Sequence, residues 1–211
     1  MKEESSSPER ANTAEWDNFD KARDENEVVA FIQNTILSKD GIPADKLSRF
    51  KAKMSLAYHV LRNNSIQPTD NTIIWLLRDA RSAIQGAVFM SRRYENIKTN
   101  SPAELEVDFL CVSLAMRKSL AKKFRFEFLK KLDTYCAENP DIKNITFDTS
   151  ARNSDLVELY SSVSKRTYDP LDGHLNPLAK FSIPLVDPVG RRISVLDAIR
   201  TSRAASKEKG V

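Results

Sequence analysis

The spacing of apolar residues changes twice along this chain, and those changes limit the fold more than any single residue does. Between Trp16 and Leu61 apolar side chains recur every three to four positions: first Phe19, Val28, Val29, Ile32 and Ile36, then Leu47, Phe50, Met54, Ala57, Tyr58 and Leu61 beyond the breaker Asp40-Gly41-Ile42-Pro43. That is the period of two amphipathic helices, one from Trp16 to Leu37 and one ending at Arg62-Asn63-Asn64. Beyond Pro68 the period falls to two. "TIIWLLRDA" (72–80) and "SAIQGAVFMSRRY" (82–94), parted by a polar turn around Asp79 to Ser82, read as an antiparallel hairpin. In "AELEVDFLCVSL" (103–114), Leu105, Val107 and Phe109 alternate with Glu104, Glu106 and Asp108, as in a strand with one buried face. Helical spacing then returns from Leu120 to Glu138 through Leu120, Phe124, Phe128, Leu132 and Tyr135 or Cys136, and Asn139-Pro140 stops it.

The remaining elements are shorter. A strand "IKNITFDTS" (142–150) precedes a capped helix starting near Asn153 or Ser154. The turn-rich "YDPLDGHLNP" (168–177) leads to a strand "AKFSIPLV" (179–186), and a last stretch can form one short amphipathic helix through Val195, Leu196 and Ile199. There is no internal repeat. With 211 residues, 41% hydrophobic and 29% charged, the chain can bury a core without disulfides. One domain is expected over residues 15–186, between a flexible tail (1–14) and a basic tail (187–211).

No run approaches the roughly 18 consecutive apolar residues of a membrane span. The start, MKEESSSPER, has neither an apolar signal core nor an Arg-rich presequence, so a soluble, cytoplasmic protein is expected. Cys111 and Cys136 are the only cysteines and His59 and His174 the only histidines, too few and too scattered for a metal centre. The net charge of +4 is unevenly spread: Arg117 to Lys131 holds seven basic residues against the single acid Glu127. Such an excess suits an anionic ligand, either a phosphorylated cofactor or nucleic acid, and equally a solvated helix face.

The strand at 103–114 runs into the basic helix through "VSLAMRKSLAKKF" (112–124). A helix N-terminus presents unpaired N–H groups and a positive dipole end that favour phosphate, and small residues let it approach. One strand later, "ARNSDLVELYSS" (151–162) sets Asn153 seven residues before Tyr160. The element order, with these two segments, resembles the GNAT superfamily of acyl-CoA-dependent N-acyltransferases over about residues 15–186. In that family a turn V-h-P-x-x-R-G-x-G-h-G grips the pyrophosphate of acetyl-CoA, and N-x-x-A-x-x-L-Y brings its Asn near the pantetheine arm and its Tyr near the sulfur. Arg117 matches the turn; Ser119-Leu120-Ala121 supplies its small-apolar-small step if the turn is one residue shorter, while an ungapped alignment puts Leu120 and Lys122 at the glycine positions. Asn153, Leu159 and Tyr160 match the second motif; Leu156 replaces its small residue, and Ser164-Lys165 stands where Gly-Phe is usual.

The resemblance implies a mixed α+β fold of the α/β class, with a central, mostly antiparallel twisted sheet that is splayed at the cofactor site and flanked by helices. It also implies acetyl transfer from acetyl-CoA, as co-substrate and without a metal, to a primary amine of a protein or small molecule by direct attack. An amine of pKa about 10 must lose a proton first, and Glu106 and Asp108, on one strand face, are the candidate bases. A backbone N–H at Val112 or its neighbours Leu110 and Cys111 would polarise the thioester carbonyl where the central strand splays from the next. Tyr160 would protonate the departing thiolate. Arg117, Lys118, Ser119, Leu120, Ala121, Lys122 and Lys123 would surround the phosphates, and Asn153 the pantetheine. Two other readings stay open: a GNAT-like module without catalysis, suggested by the glycine-poor turn, and a nucleic-acid binder using the basic helix and tail.

Overall fold

The computed structural model describes residues 14–40, 63–96, 101–113, 121–150, 161, 165–169 and 178–208. Along these residues run β1 (Glu15–Asn18), α1 (Lys21–Asp40), β2 (Thr72–Arg78), β3 (Ile84–Asn96), β4 (Ser101–Val112), α2 (Ala121–Glu138), β5 (Ile142–Ser150), β6 (Lys165–Asp169), β7 (Leu178–Pro184) and α3 (Val195–Glu208). The strands form one seven-stranded sheet in the order β1-β2-β3-β4-β5-β7-β6. β1 runs antiparallel to β2, and β5 and β6 run antiparallel to β7. β4 and β5 are parallel, as they must be when a helical connection, α2, returns the chain to the same end of the sheet.

Three sequence expectations need correction. The first helix begins at Lys21, not Trp16: Glu15–Asn18 pair with β2, from Glu15↔Arg78 to Asn18↔Trp75. Asp20 sets the boundary. Its Oδ1 accepts the Arg23 N–H at 3.2 Å, its carbonyl accepts the Asp24 N–H at 2.8 Å, and its own N–H donates to the Asp24 carboxylate at 2.8 Å. This reciprocal cap stops helical geometry from extending backwards. Second, Tyr168 and Asp169 belong to β6 rather than to a turn, with Tyr168↔Ala179 and Asp169↔Leu178 in register. Five residues reading KRTYD carry no apolar alternation, so this edge strand is defined by its partner β7 and not by its own pattern. Third, the last strand spans Leu178–Pro184, ending two residues earlier than expected, and Val186 instead bridges Arg192 across the turn at Asp187 to Gly190. Gly190 has φ +84°, a conformation that favours glycine. The helix expected at 47–61, with His59, lies outside the described residues.

Among the described residues the spacing is borne out in β4, where Phe109 is half-buried, and in α2 from Phe128 on; Leu120 and the helix expected near Asn153 lie outside the described residues. In β4, Ala103, Leu105, Val107 and Cys111 are buried while Glu104, Glu106 and Asp108 are half-buried. In α2, Phe128, Leu132 and Cys136 form the buried stripe. The helix ends where the Asn139 amide group and backbone N–H both bond to the Tyr135 carbonyl, at 2.8 and 3.1 Å, ahead of Pro140.

By compactness the chain divides into Met1–Phe89 with Phe109–Ser119, and Met90–Asp108 with Leu120–Val211. The first unit has a core of Val28, Ile32, Ile66, Ile74, Leu76, Ala87 and Phe89. The second buries Leu105, Leu132, Ile142, Ile145, Phe147, Phe181, Ile183 and Val195. Each such large aliphatic or aromatic side chain stabilises by roughly 1.5–3 kcal/mol. In the second unit α3 is packed down by Val195, Ala198 and Ile199, with the Val195 N–H donating to Asp133 Oδ1 at 2.7 Å. The Arg192 guanidinium donates to the carbonyls of Pro140 at 2.9 Å, of Ile142 at 2.6 Å and of Cys136, which joins the last turn of α2 to the start of β5. No helix among the described residues is long and apolar enough to cross a membrane.

Candidate functional site

Successive even-numbered residues of β4 point to one face of the sheet about 7 Å apart, so Glu104, Glu106 and Asp108 form a row of three carboxylates. Each is held by a neighbouring strand. Glu104 Oε1 accepts the Thr146 hydroxyl at 2.7 Å and Oε2 the Asn144 amide at 3.4 Å, both from β5, and Asn144 Oδ1 accepts the Ser182 hydroxyl of β7 at 2.7 Å. Glu106 forms an ion pair with Arg93 of β3, and Asp108 accepts a hydrogen bond from the Ser91 hydroxyl, also of β3. The glutamate is 15% exposed and the arginine 64%, so this pair lies at the border of protein and water.

The ladder between β4 and β5 runs from Ala103↔Ile142 to Val107↔Phe147, with a register irregularity between Ala103 and Glu104. Among the described residues that is where the pairing stops, although β4 continues for five residues to Val112. The last three residues of β5, Asp148 to Ser150, pair with Lys180 to Leu178 of β7. Two parallel strands that cease to pair before they end leave a place where β4 backbone can meet something other than β5. Asp108 is the first β4 residue past that point, and Glu106, opposite Thr146, is still inside the ladder.

The residues singled out from sequence are therefore distributed as follows. Glu106 and Asp108 share a face of β4, and Leu110, Cys111 and Val112 are its final three residues, with Cys111 buried and the other two half-buried. Ala121 and Lys122 open α2, whose first turn carries no acid that would compete with an anion. Arg117, Lys118, Ser119, Leu120, Asn153 and Tyr160 lie outside the described residues. Among the described residues no group of three His, Cys, Asp or Glu is placed to hold a metal ion.

Sequence reasoning missed the partners. Ser91 and Arg93 read simply as hairpin polar residues, yet they hold the two candidate bases. Gln85 was also passed over: its amide nitrogen donates to Asp79 Oδ2 at 2.8 Å and its amide oxygen accepts the Ser113 hydroxyl at 2.8 Å. The one visible signal was Asp79 at the head of a turn, where an Asp carboxylate commonly binds nearby backbone N–H groups. It accepts those of Arg81 at 2.9 Å and Ala83 at 3.0 Å. These donors, the Arg81 N–H first, hold its carboxyl below the usual value.

No family model and no curated protein matches this chain in sequence. Solved structures do match in shape. An acetyltransferase of the GNAT family from Staphylococcus aureus superposes with a TM-score of 0.52 at 14% identity, over 81% of this chain and 99% of its own. A chimera of the spermidine N-acetyltransferase SpeG of Vibrio cholerae and hSSAT gives 0.50 at 14% identity, over 82% and 96%. Arabidopsis thaliana NAA60, in complex with a bisubstrate analogue, gives 0.50 at 13% identity, over 81% and 97%. Near-complete coverage of each of these domains, despite such low identity, means that what is shared is the path of the chain: this protein has the GNAT superfamily fold.

Proposed function

We propose that the protein is an N-acetyltransferase that moves an acetyl group from acetyl-CoA to a primary amine of a protein or small molecule. The observation that carries this proposal is the early end of the β4–β5 ladder at Val107↔Phe147, with the carboxylate of Asp108 just past it. The fold and the basic segment 117–123 support it.

In this mechanism the amine loses a proton to a β4 carboxylate, directly or through water, and its nitrogen lone pair attacks the thioester carbonyl carbon. Asp108 stands ahead of Glu106 because it lies past the end of the ladder, whereas Glu106 lies inside it and is paired to a guanidinium. A backbone N–H at Leu110, Cys111 or Val112 stabilises the developing oxyanion, an effect worth roughly 3–4 kcal/mol where a donor is well aligned. The C–S bond then breaks and Tyr160 gives its proton to the thiolate; phenol and thiol pKa values, about 10 and about 8.5, are close enough for this transfer. Arg117, Lys118, Ser119, Leu120, Ala121, Lys122 and Lys123 bind the phosphates, and Asn153 the pantetheine.

Calorimetric titration with acetyl-CoA tests the proposal. Binding that weakens in Arg117→Ala and Lys122→Ala is expected, followed by CoA release when a panel of amines is supplied. Turnover unchanged in Tyr160→Phe removes the tyrosine from the mechanism but leaves the enzyme. Absence of binding by the wild-type protein favours the module without catalysis, for which the glycine-poor turn at Arg117 to Lys122 is the specific support.

A further inference from the structure

Ser113 is the first residue after β4, and from it the chain enters the segment assigned above to the acyl-CoA phosphates. One residue of β3 holds it twice. The Ser113 N–H donates to the Gln85 carbonyl at 2.8 Å, and the Ser113 hydroxyl donates to Gln85 Oε1 at 2.8 Å. Gln85 in turn cannot swing freely, because its amide nitrogen donates to Asp79 Oδ2 at 2.8 Å. Asp79 is fixed by its own bonds: its Oδ1 accepts the N–H groups of Arg81 and Ala83. An ionised carboxylate can only accept, so the nitrogen end of the Gln85 amide must face Asp79, which leaves the oxygen end for Ser113. The direction of the chain of bonds is thereby determined.

Closing the β2–β3 turn does not need Gln85. The turn already has the Asp79 N–H on the Ala83 carbonyl at 3.0 Å, the Ser82 N–H on the Asp79 carbonyl at 2.8 Å, and the carboxylate cap. The amide of Gln85 spans instead from that turn to the end of β4, and all three residues lie within the unit Met1–Phe89 with Phe109–Ser119. We infer that Gln85, braced by Asp79, is a positioning residue for acyl-CoA binding, which acts by fixing Ser113 where the chain leaves β4 for the phosphate-binding segment. The inference rests on the acetyl-CoA reading given above.

The test is calorimetric titration of CoA into wild type, Gln85→Met, Ser113→Ala, Ser113→Thr and the double variant Gln85→Met/Ser113→Ala, with thermal melts alongside. A single neutral hydrogen bond supports an effect of up to about tenfold. Gln85→Met and Ser113→Ala should each raise Kd by about that factor, and Ser113→Thr, which keeps the hydroxyl, should stay within about twofold of wild type. The double variant should bind no more weakly than the worse single one, since both cut the same chain. In turnover the loss should fall on KM for acetyl-CoA and spare kcat. Wild-type Kd in both single variants, or losses that multiply in the double variant, overturns the inference while leaving acetyl-CoA binding intact. Failure of the wild type to bind CoA overturns both together.

Discussion

Asp24 and the carboxylates of β4 are ionisable groups of the same kind placed under opposite conditions. Asp24 is fully buried and its two oxygens receive the Arg23 Nε at 2.6 Å and Nη2 at 2.9 Å, the Arg78 Nη2 at 2.9 Å and the Asp20 N–H at 2.8 Å. Glu106 and Asp108 are half-buried, on a strand that outruns its neighbour. A saturated, buried anion ties α1 to β2, and it cannot take a proton from a substrate without losing those bonds. A carboxylate that keeps some access to water can exchange protons with what approaches it. The difference teaches that, among carboxylates, solvent access separates a candidate for chemistry from a piece of architecture, even where both have an arginine partner.

The largest effect that follows is on stability. Asp24→Ala removes the anion and leaves Arg78, whose side chain is only 14% exposed, without its buried partner. Stranding a buried charge altogether costs about 3–5 kcal/mol; Arg78 keeps Glu27 at 2.9 Å and Asp17 at 3.7 Å, so the loss should fall at the lower end of that range, and urea unfolding should show it as a lower midpoint at unchanged slope. Folded Asp24→Ala protein should keep wild-type turnover per molecule; a rate loss beyond that expected from the unfolded fraction would break the comparison. Asp108→Asn should do the reverse. It keeps the shape and an acceptor for Ser91 but cannot take a proton, so kcat should fall by about 100-fold or more while the urea midpoint hardly moves. Glu106→Gln should cost less, and an equal loss at both positions would mean that the ladder's end does not choose between them.

Acid sharpens the contrast without mutation. The Arg23 side chain above all, then the Asp20 N–H and the Arg78 charge, holds the Asp24 carboxyl below its ordinary value of 3.8. A depressed carboxylate contributes its stability above the unfolded value and loses it as pH falls through the folded one. The gap in urea midpoint between wild type and Asp24→Ala should therefore be full at pH 6 and narrow below about pH 4. A gap that is constant down to pH 2 would show that packing, not charge, is what the alanine removes.

These contrasts also mark what the sequence could disclose. Elements long enough to repeat their period were legible: the strands at 72–78, 84–96 and 142–150 and the helix at 121–138 all follow from spacing. β1 and β6 were not, because four or five polar-rich residues at a sheet edge take their conformation from the partner strand. The carboxylate row on β4 could be read because strand alternation alone puts Glu104, Glu106 and Asp108 on one face. Their partners could not, because Ser91, Arg93 and Thr146 are distant in sequence and nothing local encodes the register that joins them. Gln85 stayed hidden for the same reason, its meaning lying in a contact with Ser113 across β3 and β4.

Glu104 offers the smallest effect and the closest control, since it shares the row with the candidate bases but lies well inside the ladder, opposite Asn144. In Glu104→Gln the amide oxygen can still accept the Thr146 hydroxyl, while the amide nitrogen would face the nitrogen of Asn144. Turning the Asn144 amide over resolves that clash, and it places the Asn144 nitrogen against Ser182. A hydroxyl can accept as well as donate, so the whole line from Glu104 through Asn144 to Ser182 can reverse its direction with no bond lost. The expected cost is below about 1 kcal/mol, whereas Glu104→Ala strips the acceptor from Thr146 and Asn144 and should cost about 1–3 kcal/mol. Turnover should stay within about twofold in the glutamine variant. A 100-fold rate loss there would mean that the row acts as one charged surface, and that position relative to the ladder's end is not what distinguishes Asp108.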